Sequence, residues 1–64
     1  MMNFTVDIYF KFDPKEERTE TFGLEVENLD EAIEFVKDRE DYETIEYFII
    51  SDETGDIYNS YNKN

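Results

Sequence analysis

The chain has no cysteine and no histidine, only one proline and only two glycines in sixty-four residues. Without Cys there is no disulfide framework and no cysteine nucleophile, and without His as well there is no ordinary zinc site. A hydroxyl nucleophile would need a lysine or carboxylate base, and no spacing in the sequence singles out such a pair. Gly23 and Gly55 are the only glycines, so no glycine-rich loop can cradle a phosphate. No window approaches the ~20 apolar residues of a membrane span. Met1-Met2-Asn3 runs straight into a strand-like pattern without a basic or small-residue leader. The expectation is therefore a chain without a signal peptide that works in the cytoplasm.

Positive charge is also scarce. Six Lys and Arg stand against eighteen Asp and Glu, a net −12. Residues 25 to 56 hold thirteen of the acids and only Lys37 and Arg39 as bases, which places −11 of that charge in about half the length. Such a field repels nucleic acid and anionic membranes and draws in basic partners. Neither direct nucleic-acid binding nor membrane binding is expected.

Apolar patterning is plentiful. Phe4, Val6, Ile8, Phe10 and Phe12 alternate with Asn3, Thr5, Asp7, Tyr9 and Lys11, the period of a half-buried strand over residues 3 to 12. Asp13 to Glu17 carries the proline and reads as a turn. Thr19 to Glu27 alternates again through Phe22, Leu24 and Val26, so the two strands form a hairpin. Gly23 lies in the middle of the second strand, where a glycine signals a bulge or a close backbone approach.

Asn28 suits a helix N-cap, and Glu31 three positions on completes a box-like pattern. Leu29, Ala32, Ile33 and Val36 then follow the i, i+3, i+4, i+7 stripe of a helix that fades around Arg39 to Asp41. Glu43 to Ser51 reads as a third strand with apolar residues on both faces: Ile45, Tyr47 and Ile49 on one, Phe48 and Ile50 on the other. Asp52 to Asp56 is a hairpin loop with Gly55 at positive φ. Residues 57 to 61 make a short fourth strand, and residues 62 to 64 a frayed tail. The expected fold is one α+β domain over residues 1 to 64, ββαββ. Its four-stranded antiparallel sheet has order 2-1-3-4, from a right-handed crossover, with the helix packed on one face.

Two surfaces stand out. An acidic face drawn from Glu25, Glu27, Asp30, Glu31, Glu34, Asp38, Asp41, Glu43 and Glu46 spaces its carboxylates ~5–6 Å apart on the helix and ~6.8 Å apart along a strand. An aromatic sheet face is drawn from Tyr9, Tyr47, Phe48 and Tyr58. Exposed rings on a four-stranded sheet also suit base stacking, but the surrounding negative charge argues against RNA. Asp52-Glu53-Thr54-Gly55-Asp56 departs from a calcium loop, since Gly55 comes too early and the twelfth position is Lys63. Neither a metal nor a cofactor is expected, and no catalytic residue.

In size, acidity and element order the chain resembles the small inhibitors of bacteriophages and mobile elements. Among these are DNA mimics and short proteins that block host polymerases or nucleases. The string Glu27 to Ile33 resembles a strand-to-helix junction common to many small α/β proteins and carries no functional residue across. The resemblance implies a non-enzymatic binder whose acidic face occupies a basic site on a nucleic-acid-handling protein. The alternative is an assembly module that homodimerises or docks through the aromatic face, with acidity serving solubility.

Overall fold

A computed structural model describes residues 1 to 11 and 19 to 62, with side-chain exposure through residue 61. The strands are β1 (Met2–Phe10), β2 (Thr19–Val26), β3 (Ile45–Asp52) and β4 (Gly55–Asn59), and the helix α1 (Leu29–Lys37) lies between β2 and β3. All neighbouring strands are antiparallel, in the order β2-β1-β3-β4. The fold is α+β, as its periodicities require. The proline turn at residues 13 to 17, together with Phe12, lies outside the described residues.

One face of the sheet meets the helix and holds the core. Phe4, Val6, Ile8 and Phe10 of β1 are buried with Ile45, Phe48 and Ile50 of β3 and with Ala32 and Val36 of α1. Phe22, Leu24, Val26, Leu29, Ile33 and Tyr58 pack around them, half-buried. Among the described residues no polar or charged side chain is buried. The cap forms as the sequence indicates. Asn28 Oδ1 accepts the Glu31 N–H at 2.9 Å. Glu31 Oε1 in turn accepts the N–H of Glu27 at 3.0 Å, one residue before the cap itself.

Three boundaries differ from the sequence expectation. The helix stops at Lys37, and Tyr42–Thr44 forms a 3-10 turn where the third strand was expected to begin. There the Thr44 N–H and hydroxyl both donate to the Asp41 carbonyl, a local satisfaction that competes with strand pairing. The fourth strand begins earlier, at Gly55, and ends in a 3-10 turn, Ser60–Asn62, so Asn62 is part of a turn and not of a tail. Residues 63 and 64 lie outside the described ones. Gly55 takes φ 125°, which closes the β3–β4 loop as expected.

Gly23 is neither a bulge nor a close approach. The β1–β2 register runs through Thr5↔Gly23 without interruption. A methyl group there would meet nothing nearer than the Phe4 carbonyl oxygen at 4.0 Å. A glycine in a strand costs about 0.5–1 kcal/mol relative to alanine, and nothing among the described residues requires it.

Asp52 organises the β3–β4 turn. Its Oδ1 accepts the Thr54 N–H at 2.7 Å and also the Thr54 hydroxyl. These bonds, the hydroxyl's first, hold its carboxyl below the usual carboxylate range. A carboxyl depressed in the folded state stabilises the fold above its unfolded pKa and loses that contribution as pH falls through the folded value. We expect an NMR titration to place the Asp52 midpoint below that of an unperturbed aspartate. The Thr54 amide should report the same midpoint. A midpoint at or above that value, or a Thr54 amide that does not follow it, would contradict the turn geometry.

Candidate functional site

The open face of the sheet carries the odd-numbered residues of β1 and β2 and their partners on β3. Tyr9 stands opposite Tyr47, with Tyr61 beyond them. Tyr9 and Tyr47 stack with centroids 4.6 Å apart and planes at 11°. Tyr61 tilts against Tyr47 at 5.3 Å and 46° and is 69% exposed. Alongside lie Asp7, which accepts the Thr21 hydroxyl at 2.7 Å, and Ile49, half-buried opposite Asp7.

Of the four aromatic residues picked from the sequence, two belong to this face. Phe48 does not: it pairs with Ile8 on the helix side and is 1% exposed. Tyr58 stands opposite Ile50, also on the helix side, with its ring 5.6 Å from that of Phe48. Phe48 directly follows Tyr47, so alternation along the strand turns it to the opposite face; a register shift between Tyr9 and Phe10 then pairs Tyr47 with Tyr9 but Ile45 with Phe10. Glu46 is taken up by this irregularity, so Ile45 and Phe48 share the buried face although three positions apart. A second shift between Ile50 and Ser51 does the same at Ile57. Tyr61, expected in the fourth strand and not on this face, completes the ladder because the Ser60–Asn62 turn folds back to it. There the Phe48 N–H donates to Ser60 Oγ at 2.8 Å. A Tyr spaced two beyond Asn59 was the only signal.

The nine acids do not form one surface. Glu25 pairs with Asn3 on the open face, away from the helix. Asp41 is held by Arg39, with Nε to Oδ1 at 2.8 Å and Nη2 to Oδ2 at 3.0 Å. Glu31 commits one oxygen to the cap, and Glu27 lies in the exposed connection before it. Glu46 is exposed at the β3 irregularity and Glu43 in the 3-10 turn. The remaining acids, Asp30, Glu34 and Asp38, are exposed on and just beyond α1, with Glu31, Glu34 and Asp38 in line at i, i+3 and i+7 opposite the buried stripe. Among the described residues only Arg39 forms ion pairs, and none reaches Glu34 or Asp38. Asp38 sits at the helix C-cap, where the dipole disfavours a negative side chain.

Arg39 does more than its place near the helix end suggested. Its fork also takes Glu20 of β2, with Nη1 to Oε2 at 2.9 Å and Nη2 to Oε1 at 3.3 Å. The guanidinium lies 5.9 Å from the centroid of the Phe22 ring. These bonds, Asp41's first and then Glu20's, hold its charge still more firmly than usual. One side chain thus ties the chain after the helix to the outer strand. Arg39→Ala should lower stability by about 1 kcal/mol, since exposed pairs contribute little individually and this is a network. That corresponds to a fall in Tm of roughly 4–8 °C. An unchanged melting curve would show the network to be ornamental.

Among the described residues no three His, Cys, Asp or Glu side chains are placed to hold a metal ion. No helix among them is long and apolar enough to cross a membrane. These observations define a small two-layer α+β domain with an acidic helix ridge on one side and a tyrosine ladder on the other. Compared with known proteins, the chain matches no family model, and neither a curated protein nor a solved structure matches it significantly.

Proposed function

We propose that the chain is a non-enzymatic binding module that presents the ridge of α1 to a basic surface on another protein. The partner class we favour is a nucleic-acid-handling protein, whose Lys and Arg are spaced for a polyanion; the module would block that site as a charge mimic, in the manner of a phage or mobile-element inhibitor. The supporting observation is that Glu34 and Asp38 stand exposed with no cation engaged among the described residues, Asp38 at the helix end that disfavours it. A side chain kept where it weakens a small domain is accounted for by something outside the domain. Neighbouring carboxylates on a helix lie ~5–6 Å apart, near enough together to engage a row of phosphate-binding cations.

The test is capture from a cell lysate on the immobilised chain, eluted with a salt gradient, beside the Glu34→Lys/Asp38→Lys variant. Electrostatic capture should elute at moderate salt and be absent from the variant. Capture that survives both would refute the reading. It would favour the second one, docking through Tyr9, Tyr47 and Tyr61, whose stacked and partly exposed rings are the observation behind it. Loss of that capture on substituting Tyr61 would then be decisive.

A further inference from the structure

Among the described residues both outer strands of this sheet have an unpaired edge, and that of β4 is the better protected. Edges are commonly blunted by brevity, a bulge, proline or lysine. β4 has two of these, with five residues and a register shift at Ile57. β2 has none of these four: eight residues, an unbroken register with β1, and neither Pro nor Lys, its only charges being Glu20 and Glu25. Among the described residues no strand pairs with its outer side. On the helix side of this edge Phe22, Leu24 and Val26 are only half-buried, and Phe35, whose ring lies 5.9 Å from that of Phe22, is 48% exposed.

We propose that the chain pairs with a second copy of itself through the outer edge of β2, antiparallel, about a two-fold axis at Gly23. Under that symmetry, directly opposed residues must have the same parity, because they share a face. With Gly23 opposite its own copy, Phe22 meets Leu24 of the second copy on the helix side, and Thr21 meets Glu25 on the open side. Glu20, whose charge Arg39 already engages, meets Val26. No carboxylate opposes another, so a second copy fits this edge despite the net −12. The residue that meets itself on the axis is uncharged and carries no side chain. That accounts for a glycine which neither the backbone nor the packing among the described residues requires. The two sheets join into one of eight strands with both helices on the same side, and the exposed Phe35 ring lies at the join. This inference is independent of the acidic-ridge reading, and its salt dependence has the opposite sign.

The chain's lack of cysteine makes the test unambiguous. Paired Cα atoms in such a ladder are about 4.5–5.5 Å apart, within the ~4.4–6.8 Å that a disulfide spans. Full-length Gly23→Cys, where the added Cβ has room, should oxidise to a disulfide-linked dimer. Thr21→Cys and Glu25→Cys alone should not link, because each lies ~14 Å along the strand from its own copy at ~3.4 Å per residue. A mixture of those two should link. Equal linkage at all three positions, or none at position 23, would overturn the proposal. Sedimentation of the unmodified chain provides the second reading: the dimer fraction should rise with salt as repulsion between two acidic copies is screened. A monomer at every salt concentration would also overturn it.

Discussion

Phe48→Ala is expected to remove a large share of the domain's stability and to lower its Tm steeply. The ring is 1% exposed, opposite Ile8 at the centre of the sheet and against Tyr58. Removing a buried Phe costs about 3–5 kcal/mol, from lost transfer energy and the cavity left behind. The whole domain has on the order of 3–10 kcal/mol, at ~0.05–0.15 per residue over sixty-four residues. There is no disulfide to hold the unfolded chain together, and among the described residues no buried polar side chain to take over the ring's contribution. Near-UV circular dichroism and a thermal melt would show the loss. Tyr61→Ala, at 69% exposure, should change stability by less than ~0.5 kcal/mol. If both variants melted like the parent, Phe48 would not be the centre of the core. The contrast also protects any binding experiment on the aromatic face: a variant at position 48 fails by unfolding, whereas one at position 61 tests the surface.

The second large effect concerns binding. Glu34→Lys/Asp38→Lys replaces two outward carboxylates by cations, taking the net charge from −12 to −8. Against a basic site each reversal converts attraction to like-charge repulsion, which costs several kcal/mol when juxtaposed. Affinity for the captured partner should fall on the order of 100-fold or more, about 3 kcal/mol. Stability should move the other way. A lysine at position 38 complements the helix dipole where aspartate opposes it, a gain of about 0.3–1 kcal/mol. Titration calorimetry and a thermal melt on the same variant separate the two effects. Weaker binding with equal or higher Tm supports a functional ridge, and unchanged affinity would leave those acids as solubilising groups.

The element order, the first hairpin, the helix with its Asn28 cap and the turn at Gly55 are legible in the amino-acid order alone, and with them the antiparallel sheet of order 2-1-3-4. Each of these follows from local signals: period-two alternation, a period of 3.6, a capping side chain and one residue that tolerates positive φ. The sequence also shows that charge gathers in the second half of the chain, because that is composition. What it left open was β3, where apolar residues occupy both parities. Alternation specifies a face only while the register is unbroken, and two irregularities, beside Glu46 and at Ile57, change the parity midway. Only tertiary pairing shows that Phe48 and Tyr58 lie under the helix side while Tyr9, Tyr47 and Tyr61 gather on the other. The acids obey the same logic. Glu25 and Glu34 are nine positions apart in an acidic stretch, yet a strand and a helix on opposite sides of one sheet turn them to different solvent. Which charges can meet one partner together is decided by packing, since the apolar stripe chooses the buried side and the carboxylates take whatever directions remain.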